Sequence, residues 1–510
     1  MIGKVFDWLA YHASHSPERP AVIETETDRR LTYSDIDIES SSLASLLSKE
    51  FNVKKGSRVA LLAHNCAEFL ELEFSCLRLG AIFVPLNWRL TSEELSFIIS
   101  DCKPSVLIFE QVFKNSVDKI ASAGVSTQKI ELGRVKHKKS EYKKLLCENT
   151  TIGHSEDISF EDVWIIMYTS GTTGNPKGAM ITYAMTYWNA INLVVSHEIS
   201  ANMINLIVLP LFHTGGLNCY CNPAIFLGGL NIIPGSFDPQ LCLKMLEDKK
   251  IKITHMMAVP TIYQLMSQHP NFKKIKFNKS IIFGVGGAPV PQELQKVYKK
   301  KGVMLLNSYG MTETSPSIAM SHRKQPDNKQ GSSGLPVLHS EVALQDQNTK
   351  FIKSSNTIGE ICVKGPIVTP GYYNNAKATR AAFTNGWFHT GDAGYFDDEG
   401  YLYIVDRWKD MYISGGENVY PAEIENIIYK LPQVAEVAVI GLPDKKWGES
   451  GKAIIVLKSG KILSEAQVRN HCRKYLAKYK NPKWIQFSPR LPHNATGKIL
   501  KRELLKKNSN

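Results

Sequence analysis

A run rich in hydroxyl groups and glycines, ending in a lysine, follows a strand-like apolar stretch. The apolar stretch is residues 163–167 and the run is residues 168–178. Glycines let backbone N–H groups approach an anion closely, hydroxyl groups donate further hydrogen bonds, and Lys177 adds a mobile positive charge. The run differs from a Walker A loop, because Pro176 precedes the lysine and Gly178 follows it. Alone, it predicts either a polyphosphate-binding loop or an ordinary surface loop.

Six further motifs follow in order along the chain. They are PLFHTGG (210–216), GGAP (286–289), NSYGMTET (307–314), GWFHTGD (386–392), DRWKD (406–410) and PHNATGK (492–498). The complete series resembles the acyl-adenylate-forming superfamily, which includes acyl-CoA synthetases, aryl-CoA ligases, adenylation domains and firefly luciferase. The resemblance covers nearly all 510 residues and keeps the motif order. It implies an enzyme that joins a carboxylic acid to AMP and then transfers the acyl group to a thiol.

The resemblance gives each motif a role. Lys177 and the hydroxyl-rich loop are expected to hold the polyphosphate, and Tyr309 is expected to stack on adenine opposite residues 287–288. The residues that the resemblance places on ATP are Thr169, Ser170, Gly171, Thr172, Thr173, Gly174, Lys177, Gly287, Ala288, Pro289, Asn307, Ser308, Tyr309, Gly310, Met311, Thr312, Asp392, Arg407 and Lys498. The expected catalytic residues are Lys177, His213, Glu313 and Lys498.

Three of these side chains have a chemical reason for their role. Glu313 is the expected Mg²⁺ ligand, because a hard cation that bridges phosphate oxygens favours a carboxylate. Asp392 offers two acceptor oxygens to two ribose hydroxyl groups, with Arg407 nearby on ribose or phosphate. Lys498 is expected to reach the α-phosphate and the attacking carboxylate oxygen, where a positive charge stabilises the transition state.

The thiol step is expected to involve the C-terminal part of the chain. In the family that this chain resembles, a small domain rotates about a hinge, which matches residues 406–410 here, and withdraws the lysine that matches Lys498. Glycines then leave room for the pantetheine arm of coenzyme A. The residues expected along this path are Ser414, Gly415, Gly416 and Trp447.

The elements that must position these motifs alternate between strand-like and helical patterns, which predicts an α/β fold. The predicted strands are 58–62, 105–109, 163–168, 206–209, 280–283 and 303–306. Three of them run into motifs, as expected when a site forms at the carboxyl ends of parallel strands. The resemblance further implies stacked α/β subdomains with a β-barrel-like portion in the large domain. We therefore predict an N-terminal AMP-binding domain (1–405), a hinge (406–410) and a small mobile α+β domain (411–510).

The pattern after the hinge predicts a compact module. Pro421 is expected to begin one helix. Ser464 is expected to cap a second helix with Gln467 as its capping-box partner, and the Asn-Pro pair at 481–482 is expected to end it. Strands are predicted at 437–440 and 453–456.

The net charge of +13 is the unusual feature of the composition, and basic residues concentrate between 134 and 144 and near the C-terminus. This excess of positive charge favours a solvated basic surface, and the alternative is transient contact with an anionic membrane. No recognisable motif supports a nucleic-acid partner. The sequence contains no apolar run of about 20 residues and no signal peptide, and its nine cysteines have no paired spacing. We therefore predict a cytoplasmic protein. The alternative with membrane contact places it at the inner face of the membrane as a peripheral protein. Monomer and homodimer both stay open.

The identity of the acid is the least determined feature. The chain length and the runs at 212–216 and 415–423 resemble bacterial fatty-acyl-CoA synthetases, which predicts a medium- or long-chain fatty acid. His213 matches the residue that gates the acyl pocket, and a structural histidine is the alternative. An aryl acid such as a benzoate or cinnamate is the alternative substrate, and a carrier-protein pantetheine is the alternative to coenzyme A. The pocket candidates, which are mostly small or apolar, are Phe212, Asn218, Gly284, Val285, Met311 and Ser315.

Overall fold

The structure is a computed structural model. It describes residues 4–122, 124, 127–133, 142, 145–146, 158–169, 176–346, 348–408, 410–493 and 499–508. Residues 170–174 of the predicted phosphate loop, Lys498 and most of the basic cluster at 134–144 therefore lie outside the described residues. Within the described ranges, no helix is both long and apolar enough to cross a membrane.

The largest sheet contains nine of the described strands, numbered here along the chain. They are β1 (Pro20–Glu24), β2 (Arg29–Thr32), β9 (Ile204–Ile207), β10 (Leu230–Ile233), β11 (His255–Ala258), β12 (Ile282–Gly286), β13 (Leu305–Tyr309), β14 (Ala319–Met320) and β15 (Leu335–Pro336). The order is β15-β14-β13-β12-β11-β9-β10-β1-β2. The strands from β13 to β1 are parallel, and the other three join antiparallel. The motifs at 286–289 and 307–314 therefore begin at one edge, where β12 and β13 end.

A second sheet contains the strands that flank the predicted phosphate loop. They are β3 (Arg58–Leu62), β4 (Ile82–Pro85), β5 (Val106–Glu110), β6 (Gln128–Leu132), β7 (Val163–Thr169) and β8 (Lys177–Thr182). The order is β6-β5-β3-β4-β7-β8, and the pairs are parallel except for the antiparallel pair of β7 and β8. Buried strands such as β3 are apolar almost throughout, as parallel strands covered on both faces should be.

A third sheet is antiparallel. Its strands are β16 (Glu341–Gln345), β17 (Phe351–Ile352), β18 (Gly359–Lys364), β19 (Phe383–Thr384), β20 (Trp387–Phe396) and β21 (Leu402–Arg407). The order is β17-β16-β18-β20-β19, and β21 also pairs with β20. In that last pair Asp392 and Arg407 are register partners, so two predicted nucleotide-binding residues lie side by side.

A fourth sheet belongs to the C-terminal part of the chain. Its strands are β22 (Tyr412–Ser414), β23 (Glu417–Val419), β24 (Val434–Asp444), β25 (Gly448–Leu457) and β26 (Trp484–Phe487). The order is β23-β22-β25-β24, and β26 pairs with β25. This sheet shares a hydrophobic core with the helices at 421–428 and 465–475. Sheet membership thus changes between Arg407 and Tyr412, and the domain bounds themselves stay a prediction.

Helices connect the strands. They are α1 (Trp8–His15), α2 (Tyr33–Phe51), α3 (Glu68–Leu79), α4 (Ser92–Cys102), α5 (Lys114–Ser122), α6 (Tyr183–Ser196), α7 (Thr214–Gly216), α8 (Asn222–Leu227), α9 (Pro239–Glu247), α10 (Pro260–Gln268), α11 (Gln292–Lys299), α12 (Ala376–Ala382), α13 (Pro421–Ile428), α14 (Glu465–Tyr475) and α15 (Lys501–Asn508). A π-helical turn, Leu217–Cys221, joins α7 to α8, and short 3-10 turns include Thr312–Thr314. The predicted α/β class, with a large N-terminal domain and a smaller C-terminal domain, is confirmed.

The second C-terminal helix begins where the sequence predicted and ends earlier. The Ser464 hydroxyl accepts a hydrogen bond from the Gln467 N–H at 3.3 Å, and Gln467 Oε1 accepts one from the Ser464 N–H at 2.9 Å. The capping box is therefore confirmed. The helix stops at Tyr475, before the predicted end at 481–482, because the Asn481 amide donates to the carbonyl oxygens of Leu476 and Ala477 and closes a turn there.

Candidate active site

The described base of the phosphate loop lies where β7 and β8 pair. Thr169 and Lys177 are register partners, and Thr169 Oγ1 donates a hydrogen bond to the Lys177 carbonyl oxygen at 3.4 Å. A Cβ at Gly178 would lie 2.8 Å from Cγ2 of Ile166, so this position requires glycine. The Lys177 ammonium lies 5.2 Å from the ring centroid of Tyr372, where a cation is attracted to the ring face. The lysine thus extends from a well-packed hairpin toward an aromatic ring.

Tyr372 connects Lys177 to Glu313, and the sequence analysis did not identify it. Its hydroxyl donates a hydrogen bond to Glu313 Oε1 at 2.8 Å. Burial, with the negative charge of Glu313, raises the pKa of Tyr372, so the hydroxyl stays protonated and acts as a donor. The Thr369 N–H donates to the Glu313 carbonyl oxygen at 2.8 Å, which holds the segment in place. The local signal was the turn sequence TPGYY at 369–373.

Asp392, Tyr309 and Arg407 form a second cluster. Asp392 Oδ2 accepts a hydrogen bond from the Tyr309 hydroxyl at 2.8 Å, and Asp392 Oδ1 pairs with Arg407 Nε at 2.8 Å. Burial lowers the pKa of the Arg407 guanidinium, but the charge of Asp392, together with Tyr309, Asp410 and Glu313, outweighs this and holds the pKa above its usual value. Burial, with the charge of Asp392, also raises the pKa of Tyr309. A carboxylate is therefore held at a fixed place between two permanent donors.

The turn that presents Asp392 is braced from the neighbouring strand. Gly391 has a positive φ of 69°, and its N–H donates to Glu360 Oε1 at 3.1 Å. The other oxygen of Glu360 lies 2.8 Å from His389 Nδ1. The sequence analysis did not identify Glu360, whose partners lie about thirty residues away along the chain.

The GGAP motif stands at the end of β12. A Cβ at Gly286 would lie 2.5 Å from the carbonyl oxygen of Ser308, so β12 and β13 approach closely here. Gly287 has a positive φ of 79° and is exposed together with Pro289, whereas Ala288 is half-buried. The Ser308 hydroxyl is buried and has no hydrogen-bond partner among the described residues. At the edge where β12 and β13 end, the groups left for a ligand are therefore backbone groups and the Ser308 hydroxyl.

Asn307, the first residue of the NSYGMTET motif, forms hydrogen bonds that hold this edge of the sheet in place. Asn307 Nδ2 donates to the Ser332 carbonyl oxygen at 2.7 Å, and Asn307 Oδ1 accepts from Gln295 Nε2 at 3.2 Å. A Cβ at Gly310 would lie 1.5 Å from the carbonyl oxygen of Pro316, so only glycine fits. The structure gives Asn307 an internal bracing role, and its contact with ATP stays a prediction.

The turn that carries Glu313 is closed by its own side chains. The Met311 N–H donates to Thr314 Oγ1 at 3.2 Å, and the Thr314 hydroxyl donates to the Met311 carbonyl oxygen at 3.1 Å. Thr312 and Glu313 are both buried. The direction of the Glu313 side chain is therefore set by a closed turn and by Tyr372.

His213 caps the short helix α7. Its Nδ1 accepts a hydrogen bond from the Gly215 N–H at 3.1 Å, which leaves Nε2 as the donor of the ring. Burial lowers the pKa of His213 to about 4, so the ring is neutral at neutral pH. A neutral, oriented imidazole fits the structural alternative as well as a gate, and the catalytic role stays a prediction.

The predicted pantetheine residues meet in the small domain. Gly415 and Gly416 have positive φ values of 64° and 85° and form the turn between β22 and β23. The Gly415 N–H donates to the Trp447 carbonyl oxygen at 2.7 Å, and a Cβ at Gly415 would lie 2.6 Å from the Trp447 ring. Ser414 is buried beside them. Among the described residues, no hydrogen bond or ion pair joins this hairpin to Asp392.

Two adjacent residues at the predicted hinge bind different parts of the protein. Arg407 pairs with Asp392 in the third sheet. Asp406 Oδ2 instead accepts a hydrogen bond from the Ala422 N–H at 2.8 Å, in the first turn of α13, and Asp406 Oδ1 lies 3.9 Å from Lys501 Nζ. The chain therefore leaves the third sheet for the C-terminal part next to the cluster of Asp392, Tyr309 and Arg407, which suits the predicted hinge.

The remaining predicted ATP residues lie outside the described residues. They are Ser170, Gly171, Thr172, Thr173, Gly174 and Lys498. Their roles stay predictions. The residues on either side of 494–498 are held together, because His493 and Ile499 form an antiparallel bridge.

Comparison with known proteins matches the sequence of this chain to a family. The model of the AMP-binding enzyme family matches residues 9–373, and that of the AMP-binding enzyme C-terminal domain matches residues 423–498. The chain is 37% identical over 497 residues to a feruloyl-CoA synthase of Amycolatopsis sp, covering 98% of this chain and 97% of the relative. It is 36% identical over 501 residues to the long-chain-fatty-acid–CoA ligase FadD13 of Mycobacterium tuberculosis, covering 97% and 96%.

A solved structure agrees with the whole fold. The crystal structure of ATP-bound MatB from Rhodopseudomonas palustris superimposes with a TM-score of 0.91 at 30% identity, covering 100% of this chain and 99% of that one. The match to the two family models spans both domains. The chain therefore belongs to the AMP-binding enzyme family of acyl-adenylate-forming enzymes, and within it to the AMP-forming acid–CoA ligases.

Proposed function

We propose that this ligase activates an apolar monocarboxylic acid with ATP and Mg²⁺, releases pyrophosphate, and transfers the acyl group from AMP to coenzyme A. The sequence predicts a medium- or long-chain fatty acid, with an aryl acid as the alternative. The observation that carries the proposal is a phosphate-type cluster, Lys177–Tyr372–Glu313, and a ribose-type cluster, Tyr309–Asp392–Arg407. The two clusters are close enough for the charge of Glu313 to act on Arg407.

The first half-reaction needs little covalent work from the protein. A carboxylate oxygen of the acid attacks the α-phosphorus of ATP, and the bond to the pyrophosphate oxygen breaks. Lys177 balances negative charge on the departing phosphates, and Asp392 fixes the ribose through its two acceptor oxygens. Lys498 places a further positive charge at the reacting oxygens.

The residues around Glu313 suit a magnesium ion. Glu313 is buried, and Tyr372 uses only Oε1 of its carboxylate, which leaves Oε2 as a hard oxygen donor. One carboxylate with phosphate oxygens and water is the usual Mg²⁺ set. When bound, Mg²⁺ would neutralise phosphate charge, and the role of this chain is to orient the carboxylate by the hydrogen bond from Tyr372.

Tyr372→Phe is expected to lower the rate of pyrophosphate exchange about tenfold and to raise the Mg²⁺ concentration at which this rate is half-maximal. The phenyl ring remains beside Lys177, and only the hydrogen bond to Glu313 is lost. A hydrogen bond to a charged group contributes about 1.5 kcal/mol or more, which is about tenfold in rate. The measurement is pyrophosphate exchange at increasing Mg²⁺.

Tyr373→Phe is the matched control for this change. Tyr373 is the next residue, and its backbone N–H rather than its hydroxyl bonds to Gly178. Equal losses in the two variants, or an unchanged Mg²⁺ requirement in Tyr372→Phe, would contradict the assigned role.

In the second half-reaction the thiol sulfur of coenzyme A attacks the acyl carbonyl and loses its proton to solvent. The bond between the acyl carbon and the phosphate oxygen then breaks, and AMP departs with that oxygen. The glycine hairpin at 415–416 supports a path for the pantetheine arm beside Gly416, where an added Cβ would meet no heavy atom within 4 Å, while the Trp447 ring packs against Gly415. Rotation about 406–410 would bring this hairpin to the carbonyl.

Relatives support two different acid tails. One is named for feruloyl-CoA and the other for long-chain fatty acids, and they are 37% and 36% identical to this chain. That difference is too small to choose between an aryl and a fatty tail. Both of these names describe an acid with a single carboxylate, whereas a relative that is 35% identical to this chain is named for 2-succinylbenzoate, which has two.

The deciding experiment is acid-dependent exchange of pyrophosphate into ATP across fatty and aryl acids, followed by thioester formation with coenzyme A or a carrier-protein pantetheine. We expect exchange with at least one acid and faster turnover with coenzyme A. Failure of every acid to support exchange would overturn the proposal. Turnover with a carrier protein but not with coenzyme A would replace the acceptor.

A further inference from the structure

Two glycines leave the end of one face of β12 without side chains, beyond Ile282 on the same face. Gly284 and Gly286 are two residues apart in the same strand, so their missing side chains belong to the same face of the sheet. Glycine in a strand interior often marks the close approach of a ligand or another chain segment. Val285, predicted to line the pocket, points to the opposite face and packs with Tyr263 in another core. The strip along Gly284 and Gly286, which begins at the GGAP edge and runs inward, is called the trough below.

The inner part of the trough is filled. A Cβ at Gly284 would lie 2.6 Å from Sδ of Met257 and 2.6 Å from the hydroxyl oxygen of Tyr220. At Gly286 the same methionine is more distant, with Cε 3.4 Å from the Cβ position. Met257 therefore lies along the trough, and Tyr220 stands at its inner end. From Gly286 to Gly284 the strand advances about 7 Å.

Tyr220 is held more firmly than Met257. Its hydroxyl oxygen lies 2.6 Å from His197 Nδ1, and the ring packs edge-on against His197 and His255 at centroid distances of 5.8 and 5.4 Å. Tyr220 and His197 are both fully buried. Methionine is flexible and adapts its shape, so Met257 can yield to a ligand whereas Tyr220 cannot without breaking these contacts.

The turn that carries Tyr220 is also anchored on its other side. Asn218, two residues earlier in the π-helical turn, donates through Nδ2 to Ser315 Oγ at 3.4 Å. Asn218 Oδ1 accepts from Asn222 Nδ2 at 2.9 Å, and Asn222 Nδ2 also lies 2.7 Å from Glu73 Oε1. These side chains are buried, and the hydrogen bonds between them hold the turn in place. The wall at Tyr220 is therefore fixed from two directions.

We infer that this trough receives the tail of the acid and that Tyr220, held by His197, closes it, so that the enzyme takes compact acids such as aryl acids in preference to long-chain fatty acids. The inference rests on the proposed function and names the substrate class of the same site. An acid whose carboxylate lies at the GGAP edge would extend about 7 Å along the trough, about the length of one ring, before it meets the tyrosine, and it would displace Met257. The uncharged lining, Gly284, Gly286, Met257 and Tyr220, suits a tail without a second charge.

The first test uses the wild-type protein. Acid-dependent pyrophosphate exchange is measured with benzoate, cinnamate, hexanoate, decanoate and palmitate. Since one methylene misfit changes specificity about tenfold or more, we expect kcat/KM for the best compact acid to exceed that for palmitate by at least about a hundredfold. Equal or better use of palmitate would overturn the inference while leaving the proposed function in place. Exchange with none of the acids would instead overturn the proposed function.

The second test removes the wall. In Tyr220→Ala the ratio of kcat/KM for decanoate or palmitate to that for the best aryl acid should rise at least about tenfold. Tyr220→Phe keeps the ring and should keep most of the wild-type ratio. Tyr263→Phe is the matched control, because the Tyr263 hydroxyl donates to the Gly284 carbonyl oxygen from the opposite face of β12.

Circular dichroism and thermal unfolding establish that each variant is folded. A folded Tyr220→Ala protein with an unchanged ratio would overturn the inference, as would an equal shift in Tyr263→Phe. If Tyr220→Ala does not fold, the wild-type series still decides, because its outcome does not depend on any substitution.

Discussion

Lys498→Ala is expected to lose acyl-AMP formation by about a hundredfold or more while retaining thioester formation from supplied acyl-AMP. The lysine is proposed to act only in the first half-reaction, where it stabilises charge on the α-phosphate and the attacking carboxylate. Loss of one preorganised donor at such a centre costs about 3 kcal/mol, which corresponds to about two powers of ten in rate. The measurements are pyrophosphate exchange and single-turnover thioester formation with coenzyme A.

Lys506→Ala is the matched control for this experiment. Lys506 is an exposed lysine on α15, so its removal changes the net charge equally without touching the proposed site. It should leave both half-reactions at the wild-type rate. Comparable loss of both half-reactions in Lys498→Ala would contradict the assignment, because a residue withdrawn by domain rotation should not act in the second step.

The parallel core of the fold could be predicted because local signals agreed there. Residues 58–62 form β3 with the predicted bounds, since the strand is apolar and lies in the middle of a parallel sheet. The predictions for β12 and β13 ended at 283 and 306, whereas these strands continue to Gly286 and Tyr309. Glycine and polar residues hid the continuation, although pairing with neighbouring strands extends it. The parts of the strands that were not predicted, 284–286 and 307–309, contain several of the predicted site residues.

The residues of the candidate site could be predicted better than the hydrogen bonds that join them. Glu313 and Asp392 were identified from their motifs, but the partners that orient them, Tyr372 and Glu360, were not. Tyr372 lies 59 residues from Glu313 along the chain, and Tyr309 lies 83 residues from Asp392. Such contacts depend on how three sheets pack, and no local pattern in one sequence encodes that packing.

The wall at Tyr220 shows the same limit for specificity. Residues 217–221 follow the PLFHTGG motif and contain only one aromatic side chain, which in sequence resembles ordinary core packing. Its position against Gly284 depends on a π-helical turn and on a hydrogen bond to His197, 23 residues earlier. We therefore expect the depth of the acid pocket to depend on the packed structure, and the proposed wall at Tyr220 is what would separate the fatty-acid prediction from the aryl alternative.

Gly416→Leu is expected to lower coenzyme A-dependent thioester formation about tenfold to a hundredfold while pyrophosphate exchange stays at the wild-type rate. A Cβ at Gly416 would meet no heavy atom within 4 Å, so a leucine side chain would enter open space beside the hairpin and leave the small domain packed. If the pantetheine arm crosses that space, the added bulk obstructs it, and overpacking of this kind costs about 1–3 kcal/mol.

Backbone strain is the competing explanation for such a loss, because Gly416 has a positive φ of 85° that leucine adopts poorly. Gly416→Asn separates the two effects, since asparagine tolerates the left-handed region and has a smaller side chain. Strain alone would appear as lowered thermal stability in Gly416→Leu with similar kinetics in both variants. Obstruction predicts slow thioester formation in Gly416→Leu, near-normal thioester formation in Gly416→Asn, and unchanged exchange in both. Normal turnover with coenzyme A in a folded Gly416→Leu protein would therefore exclude this face of the hairpin from the pantetheine path.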